Sequence, residues 1–359
     1  MIPSGPLRRG WTTGACATAA TKAAYTALLT GTFPDPVSIT LPLQKSVAFS
    51  LALEELHDDY ARAGIVKDAG DDPDVTHGAL VIATVRRGKP GSAVHFIAGQ
   101  GIGTVTKAGL PVPVGEPAIN PAPRAMMREA IESTARTCGA SGDVVIELSI
   151  PNGEELAKHT LNGRLGILGG LSILGTTGVV IPYSCAAWIA SIYEGIDVAR
   201  ATGLTHVAGA TGSTSEATVT RYYGLPESAL IDMGDFAGGM LKYLRRFPVA
   251  RVTIAGGFAK MAKLSQGLLD LHSGRGTLDL AHLATFVTAG GGEPQLADAV
   301  AHANTGLHAH QIAQAADFPL AQFVAEGARA TAIGVLRDAP IELDVLVVDR
   351  DGNPVAHAG

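Results

Sequence analysis

Several stretches of this 359-residue chain combine residue types and spacings that could do chemistry. Residues 67–78, KDAGDDPDVTHG, gather Asp68, Asp71, Asp72, Asp74 and His77 within ten positions. Carboxylate oxygens at that density could hold a divalent cation, act as a general base or receive a cationic group. The spacing lacks the central glycine and distal glutamate of a calcium loop, and Asp-Pro and Asp-Gly turns capped by their own carboxylates explain the same residues. In RLGILGGLSILGTTGVVIP (164–182), Gly170 to Thr177 keeps the spacing of a phosphate-binding loop, with Thr176 in the lysine position. A threonine cannot neutralise β and γ phosphates, so binding of a nucleoside triphosphate is not expected. Gly169, Gly170, Thr176 and Thr177 could instead offer amides and hydroxyls to the carboxylates of a cofactor or substrate, or the glycines could serve close backbone packing alone.

A third stretch, HVAGATGST, is a strand–turn–helix pattern in which Gly209 and Gly212 would bring backbone close to a ligand at a helix N-terminus. Asp232 ends the next predicted strand, 20 residues after Gly212, where an acid can accept ribose hydroxyls. The pair suits an adenosine-bearing cofactor, S-adenosylmethionine included, and it equally fits a glycine turn of any α/β unit. Finally, LLDLHSGRG (268–276) closes a predicted helix that also carries Lys260 and Lys263. His272, Ser273 and Arg275 together with those lysines could form a cationic pocket, or His272 could simply complement the helix C-terminus. His302, His308 and His310 read as surface or capping residues, and no His or Cys cluster has metal-ligand spacing.

Positioning these groups requires two kinds of domain. TTGACATAATKAAYTALLTG predicts a helix capped by Thr12 or Thr13 and ended by Gly31. Short β-like runs follow at VSITLP, VAFSLAL, YARAGIV, ALVIATV and AVHFIAG, then a helix near 122–137 and a strand at 143–150. Strands outnumber helices in this order, so residues 1–160 are expected to form an α+β domain. From 161 to 340 the rhythm becomes β-α-β-α-β, which predicts a Rossmann-like parallel α/β domain with helices on both faces. Residues 341–359 add a strand, an Asp-Gly turn and a tail. The glycine-rich segment 164–182 would then fall at the join of the two domains, where a cleft is expected.

Composition bounds the function classes. A net charge of −6 offers no basic face for nucleic acid. The charge-free run from Leu165 to Tyr193 is long enough for a membrane span, but Pro182 and five glycines interrupt it, and a packed interior segment fits better. Three distant cysteines suit neither a disulfide framework nor a zinc site and fit a reducing cytoplasm. No heptad or apolar stripe fixes an oligomeric state.

Long strings of the chain resemble one family, the CbiD proteins of cobalamin biosynthesis. They are RRGWTTGACATAATKAA, KDAGDDPDVTHGALVIATV, GIGTVTKAGLPVPVGEPAINPAPRAMM, IPNGEELAKHTLNGRLGILGGLSILGTTGVV, AWIASI and the helix ending in LLDLHS, covering residue 8 to the final strand. Trp11 stands where Phe or Tyr is more usual, and Asn162-Gly163 where Asn-Pro is common. The resemblance implies transfer of a methyl group from S-adenosyl-L-methionine to ring carbon 1 of a tetrapyrrole, cobalt-precorrin-5B, giving cobalt-precorrin-6A. Cobalt would belong to the substrate. Such a substrate carries many carboxylates, so Arg8, Arg9, Lys107, Arg124, Arg164, Lys260, Lys263 and His272 become candidates to bind it, with Thr12, Thr13 and Gly14 beside them. A metal-free precorrin substrate and a non-catalytic corrinoid carrier are the alternatives.

Overall fold

Alanine and threonine dominate α1 (Thr13–Thr30), and side chains this small allow a helix to be enclosed on nearly all sides. In the computed structural model, which describes residues 5–42, 44–274 and 276–359, only Lys22, Thr26, Leu29 and Thr30 of this helix reach solvent. Thr12 caps it by accepting from the Ala15 amide, and Gly31 ends it in the left-handed conformation. The described chain divides into two compact units between Ser184 and Cys185.

The first unit builds around α1. A five-stranded sheet runs β4 (Leu53–Leu56), β5 (Tyr60–Val66), β6 (Leu80–Arg87), β9 (Val144–Ser149) and β7 (Val94–Ala98), antiparallel except where β7 meets β9. β2 (Val37–Leu41) and β3 (Lys45–Phe49) form a hairpin, and α2 (Pro121–Cys138) packs on α1. Ala61, Ala63, Ile65, Val81, Ala83 and Val85 line the core face of β5 and β6 at alternate positions, as a half-buried antiparallel sheet requires. Short strands complete the unit: β1 (Gly10–Trp11) pairs with β11 (Val179–Val180), and β8 (Thr104–Val105) with β10 (Ile167–Leu168), which follows the short helices α3 (Gly153–Ala157) and α4 (Asn162–Leu165). Residues 161–184, which the change of rhythm assigns to the second half of the chain, are thus paired into the first unit.

The second unit is a sheet in the order β13 (Leu230–Asp232), β12 (His206–Ala210), β14 (Arg251–Gly257), β15 (Glu342–Val348), β16 (Pro354–Ala358), parallel except for β16. The stretch 341–359 is therefore the edge of this sheet. Side chains alternate between its two faces. Val207, Ile231, Ile254 and Val345 meet α5 (Cys185–Ala201), α7 (Ala237–Arg246), α8 (Phe258–Ser265) and α12 (Leu320–Leu336), while Ala208, Leu230, Ala255 and Leu346 meet α6 (Ser213–Tyr223). α9 (Leu280–Ala289), α10 (Pro294–Ala301) and α11 (Gly306–Ala315) extend the first of these layers. A mixed α/β protein with several sheets results, and no helix among the described residues is long and apolar enough to cross a membrane.

At the strand N-termini of the second unit, Asp344 is enclosed beneath Tyr223. It accepts from Arg251 Nε at 3.0 Å, Thr253 Oγ1 at 2.9 Å and the Tyr223 hydroxyl. With that hydroxyl proton committed, Thr253 Oγ1 accepts from His206 Nε2 at 2.8 Å, which fixes the histidine tautomer. Burial alone would raise the Asp344 pKa, but the bonds from Arg251, Tyr223 and Thr253 outweigh it and hold the carboxyl below its ordinary range. A depressed folded pKa means that its stabilisation is present above the ordinary carboxylate pKa and is lost as pH falls through the depressed one. Asp344→Asn is expected to cost about 2–3 kcal/mol at neutral pH, less than a fully enclosed pair because Arg251 reaches solvent. The penalty should shrink as the solution is acidified. Urea unfolding of a Trp11→Phe protein, read by Trp188 fluorescence, checks both points.

Candidate functional site

Residues 8–14 tie the acidic stretch to the glycine-rich one. The Trp11 amide donates to the Asp68 carbonyl at 2.7 Å, Thr12 N to Gly178 O at 3.0 Å, and Gly14 N to Leu174 O at 3.0 Å. The crossing is tight because two glycines permit it. A Cβ on Gly10 would lie 2.0 Å from the Ala69 carbonyl carbon, and one on Gly70 (φ +69°) 2.2 Å from Arg8 O. The structure therefore gathers Arg8, Thr12, Thr13, Gly14, the acidic turn and the Thr176–Thr177 loop into one region of the first unit.

Most of the acidic turn is engaged in holding that region. Arg8 forks onto Asp68, with Nη2 2.9 Å from Oδ1, and its amide donates to Asp71 Oδ2 at 2.6 Å. The guanidinium bonds, followed by the Gly70 amide, lower the Asp68 pKa to about 2. Asp72 accepts from the Tyr183 amide at 2.8 Å. Asp74 caps Thr76 and meets the Lys67 ammonium, which is 1% exposed and also donates to Thr76 Oγ1 at 2.7 Å. His77 Nδ1 accepts from Ala69 N at 3.1 Å, so its neutral form carries the proton on Nε2 and presents a donor to solvent. No group of three or more His, Cys, Asp or Glu among the described residues could hold a metal ion. Oxygens of Asp68, Asp71, Asp72 and Asp74 are turned onto amides and cations of the fold itself.

The glycine-rich segment makes no phosphate loop. No helix follows Thr177. Instead the chain runs on to β11, and the Leu171 and Ile173 amides donate to Gly101 O and Ala118 O at 2.9 and 2.8 Å. Gly170 crosses the backbone of Gly101, where a Cβ would come within 2.3 Å of a carbonyl carbon, and Asn162 Nδ2 holds the Gly170 carbonyl at 3.0 Å. Gly170 is thus a packing glycine, whereas Gly169, Thr176 and Thr177 are exposed. Thr12, Thr13 and Gly14 are buried, and Thr13 Oγ1 accepts from the Leu174 amide at 3.1 Å. The first turn of α1 is consequently satisfied by the loop above it. Lys107 donates to the Arg164 carbonyl at 3.3 Å, and Arg124 staples the 116–119 loop by bonding Ile119 O, Pro117 O and Glu116. Arg9 is exposed, with no ion pair among the described residues.

In the second unit the strand order reverses between β12 and β14, and the turns after both strands lead into helices whose caps are glycines. Open α/β sheets bind ligands at the carboxyl ends of the strands flanking such a reversal. Gly212, the cap of α6, has no heavy atom within 4 Å of a built Cβ, and no side chain caps the helix. Asp232 lies level with Ala210 in the sheet register, and the Gly234 amide donates to Ala210 O at 3.0 Å, so the two turns adjoin. Gly209 differs: it is buried inside β12, where a Cβ would lie 2.4 Å from Met240 Sδ, and its role is helix–sheet packing.

The helix expected to run through residue 273 stops at Ser265, because Gly267 takes φ +87°. His272 therefore stands on an exposed loop, not at a helix end, and its Nδ1 accepts from Gly274 N at 3.0 Å. Arg275 lies outside the described residues. Lys260 pairs with Asp235, an acid 25 residues away with no motif to mark it, and the buried Lys263 ammonium donates to the carbonyls of His272 at 3.0 Å and Leu271 at 3.4 Å. Both ammonium groups thus face inward partners. His302 and His308 are surface and capping residues, whereas His310 is buried, its ring stacked 4.5 Å from that of Phe258, with burial lowering its pKa.

Comparison with known proteins covers both units. The CbiD family model matches residues 3–182, and that of the CbiD C-terminal domain matches residues 270–359. A Bradyrhizobium protein is 60% identical over 350 residues, 98% of this chain and 93% of its own length. One from Agrobacterium fabrum is 61% identical over 346 residues, 96% and 91% of the two chains, and one from Paramagnetospirillum magneticum is 60% identical over 358 residues, 100% of both. All three are named cobalt-precorrin-5B C(1)-methyltransferase. A crystal structure of a cobalamin biosynthesis protein from Archaeoglobus fulgidus is similar at 27% identity, with a TM-score of 0.41 over 77% of this chain and 85% of that one.

Proposed function

Because the chain belongs to the CbiD family, we propose that it methylates ring carbon 1 of cobalt-precorrin-5B, giving cobalt-precorrin-6A in cobalamin biosynthesis. The observation that carries this reading is the near-full-length identity of about 60% to proteins named for that reaction. S-adenosylmethionine supplies an electrophilic methyl group when bound.

The Rossmann-like reading of the second unit gives that donor a place. Amides of the first turn of α6, beyond Gly212, offer N–H groups and the positive end of the helix to its carboxylate. Asp232 accepts hydrogen bonds from the ribose. The open space at Gly212, in a turn that borders Asp232 through the sheet register, supports this choice. In the first unit, Arg9 can fork onto an acetate or propionate of the macrocycle, and the exposed Thr176 and Thr177 can add hydroxyl contacts. Asp71 suits the base that takes a proton from the ring, since it is the exposed carboxylate of its turn. In a methyl transfer of this kind most of the rate gain comes from orientation of the reacting groups.

Purified protein incubated with cobalt-precorrin-5B and methyl-labelled S-adenosylmethionine is expected to place the label on ring carbon 1. A parallel reaction with the metal-free precorrin reports whether cobalt is required. Absence of label with both substrates, together with binding of the macrocycle, would instead identify a carrier.

A further inference from the structure

Trp188 is a side chain with two properties of interest to a ligand. Its indole is locked in place, yet it is 44% exposed. The lock is a hydrogen bond from Nε1 to the carbonyl of Asp232 at 2.8 Å. The ring also lies against Gly234, whose φ of +54° and missing side chain make the approach possible, since a Cβ there would sit 3.0 Å from Cζ2. Phe236 stands beside it, 6.1 Å away between ring centroids and tilted by 54°. Residues 232–236, the turn that follows β13, are thus flanked by an aromatic pair supplied by α5 and by the turn itself. That turn is bonded to the end of β12 through Gly234 N and Ala210 O at 3.0 Å, and so borders the Gly212 turn.

We infer that Trp188 is a stacking platform for the adenine ring of the methyl donor. The inference rests on the reading of Asp232 as the ribose acid: an adenosine held there by its sugar must place its base close to the residue that grips the Asp232 carbonyl. An indole whose N–H is already satisfied has its ring face as its remaining asset, and aromatic faces hold bases through stacking without reading their edges. Trp188 is a positioning residue for the cosubstrate and takes no part in the chemistry.

The chain has two tryptophans, so Trp11→Phe leaves Trp188 as the sole indole. Titrating that full-length variant with S-adenosylhomocysteine is expected to change indole fluorescence with the same midpoint that calorimetry gives. Adenosine should reproduce the change and homocysteine should not. Trp188→Ala is expected to bind S-adenosylhomocysteine roughly 10- to 100-fold more weakly, with Trp188→Phe in between because it keeps a ring and loses the anchor. If Trp188→Ala binds as tightly as the parent by calorimetry, the platform is refuted while the donor reading stands. If no variant, the parent included, gives heat with S-adenosylhomocysteine, the donor site and the platform fall together. Should Trp188→Ala fail to fold, Trp188→Phe and the fluorescence titration still decide.

Discussion

Replacing Gly212 by Val should weaken S-adenosylhomocysteine binding by more than about 100-fold while leaving the protein folded, because the valine would fill the space assigned to the ligand. The free protein leaves open space around the first atom of the side chain. The backbone at Gly212 is extended, with φ 168°, and nothing lies within 4 Å of a built Cβ. Valine is a poorer helix cap than glycine, so a loss of roughly 0.5–1 kcal/mol and a fall in Tm of about 2–4 °C are expected. Calorimetry and a thermal melt on the same sample separate the two effects. Unchanged affinity would move the donor away from the β12 turn and leave Asp232 without its supposed role.

Gly10→Ala should do the reverse and damage the fold itself. The added methyl would stand 2.0 Å from the carbonyl carbon of Ala69, in a crossing where neither backbone can withdraw without breaking the Trp11–Asp68 or Arg8–Asp71 hydrogen bonds. A clash of backbone with backbone has no flexible side-chain end to yield, so a loss of at least about 4 kcal/mol is expected. Trp11, packed at 5.5 Å against Phe49, reports the first unit in a Trp188→Phe background, and its urea midpoint should collapse. A midpoint within error of the parent would show that the crossing opens freely.

Much of the framework was legible because it depends on local chemistry. Thr12 and Gly31 bracket α1 by capping rules that act within one turn, and the β-α-β succession after residue 205 follows from periodicity alone. The assignment of residues 161–184 was not legible, since β10 and β11 pair with strands far back in the chain and their two-residue lengths leave no pattern. The acidic turn shows the same limit at the level of sites. Five ionisable groups in ten residues point to a ligand, but Arg8 and the Tyr183 amide, which engage Asp68, Asp71 and Asp72, come from elsewhere in the fold, and Lys67 of the stretch itself holds Asp74. Gly209 and Gly212 look alike in sequence, and only the neighbours of each, Met240 or open space, separate a packing glycine from one that leaves room. Trp188 carries no sequence signal of a site, because it lies inside a charge-free run whose composition says only that it packs.

The pairing of β1 with β11 constrains how the protein is made. Gly10 meets Val180 across roughly 170 residues of intervening chain, and the α1 terminus that follows β1 is closed by Leu174 and Gly178. Translation delivers about 5–20 residues per second, so the alanine-rich helix waits many seconds on the ribosome before its closing segment emerges. During that interval its small apolar surface is open to whatever else is in solution. In the second unit β12 reaches its neighbour β13 through α6, whereas β15 joins β14 only after α8 to α12 have been made. Closure of the α1 terminus therefore waits on synthesis of the first 180 residues, and a slower codon tempo just after Val180 is expected to favour the yield of active protein.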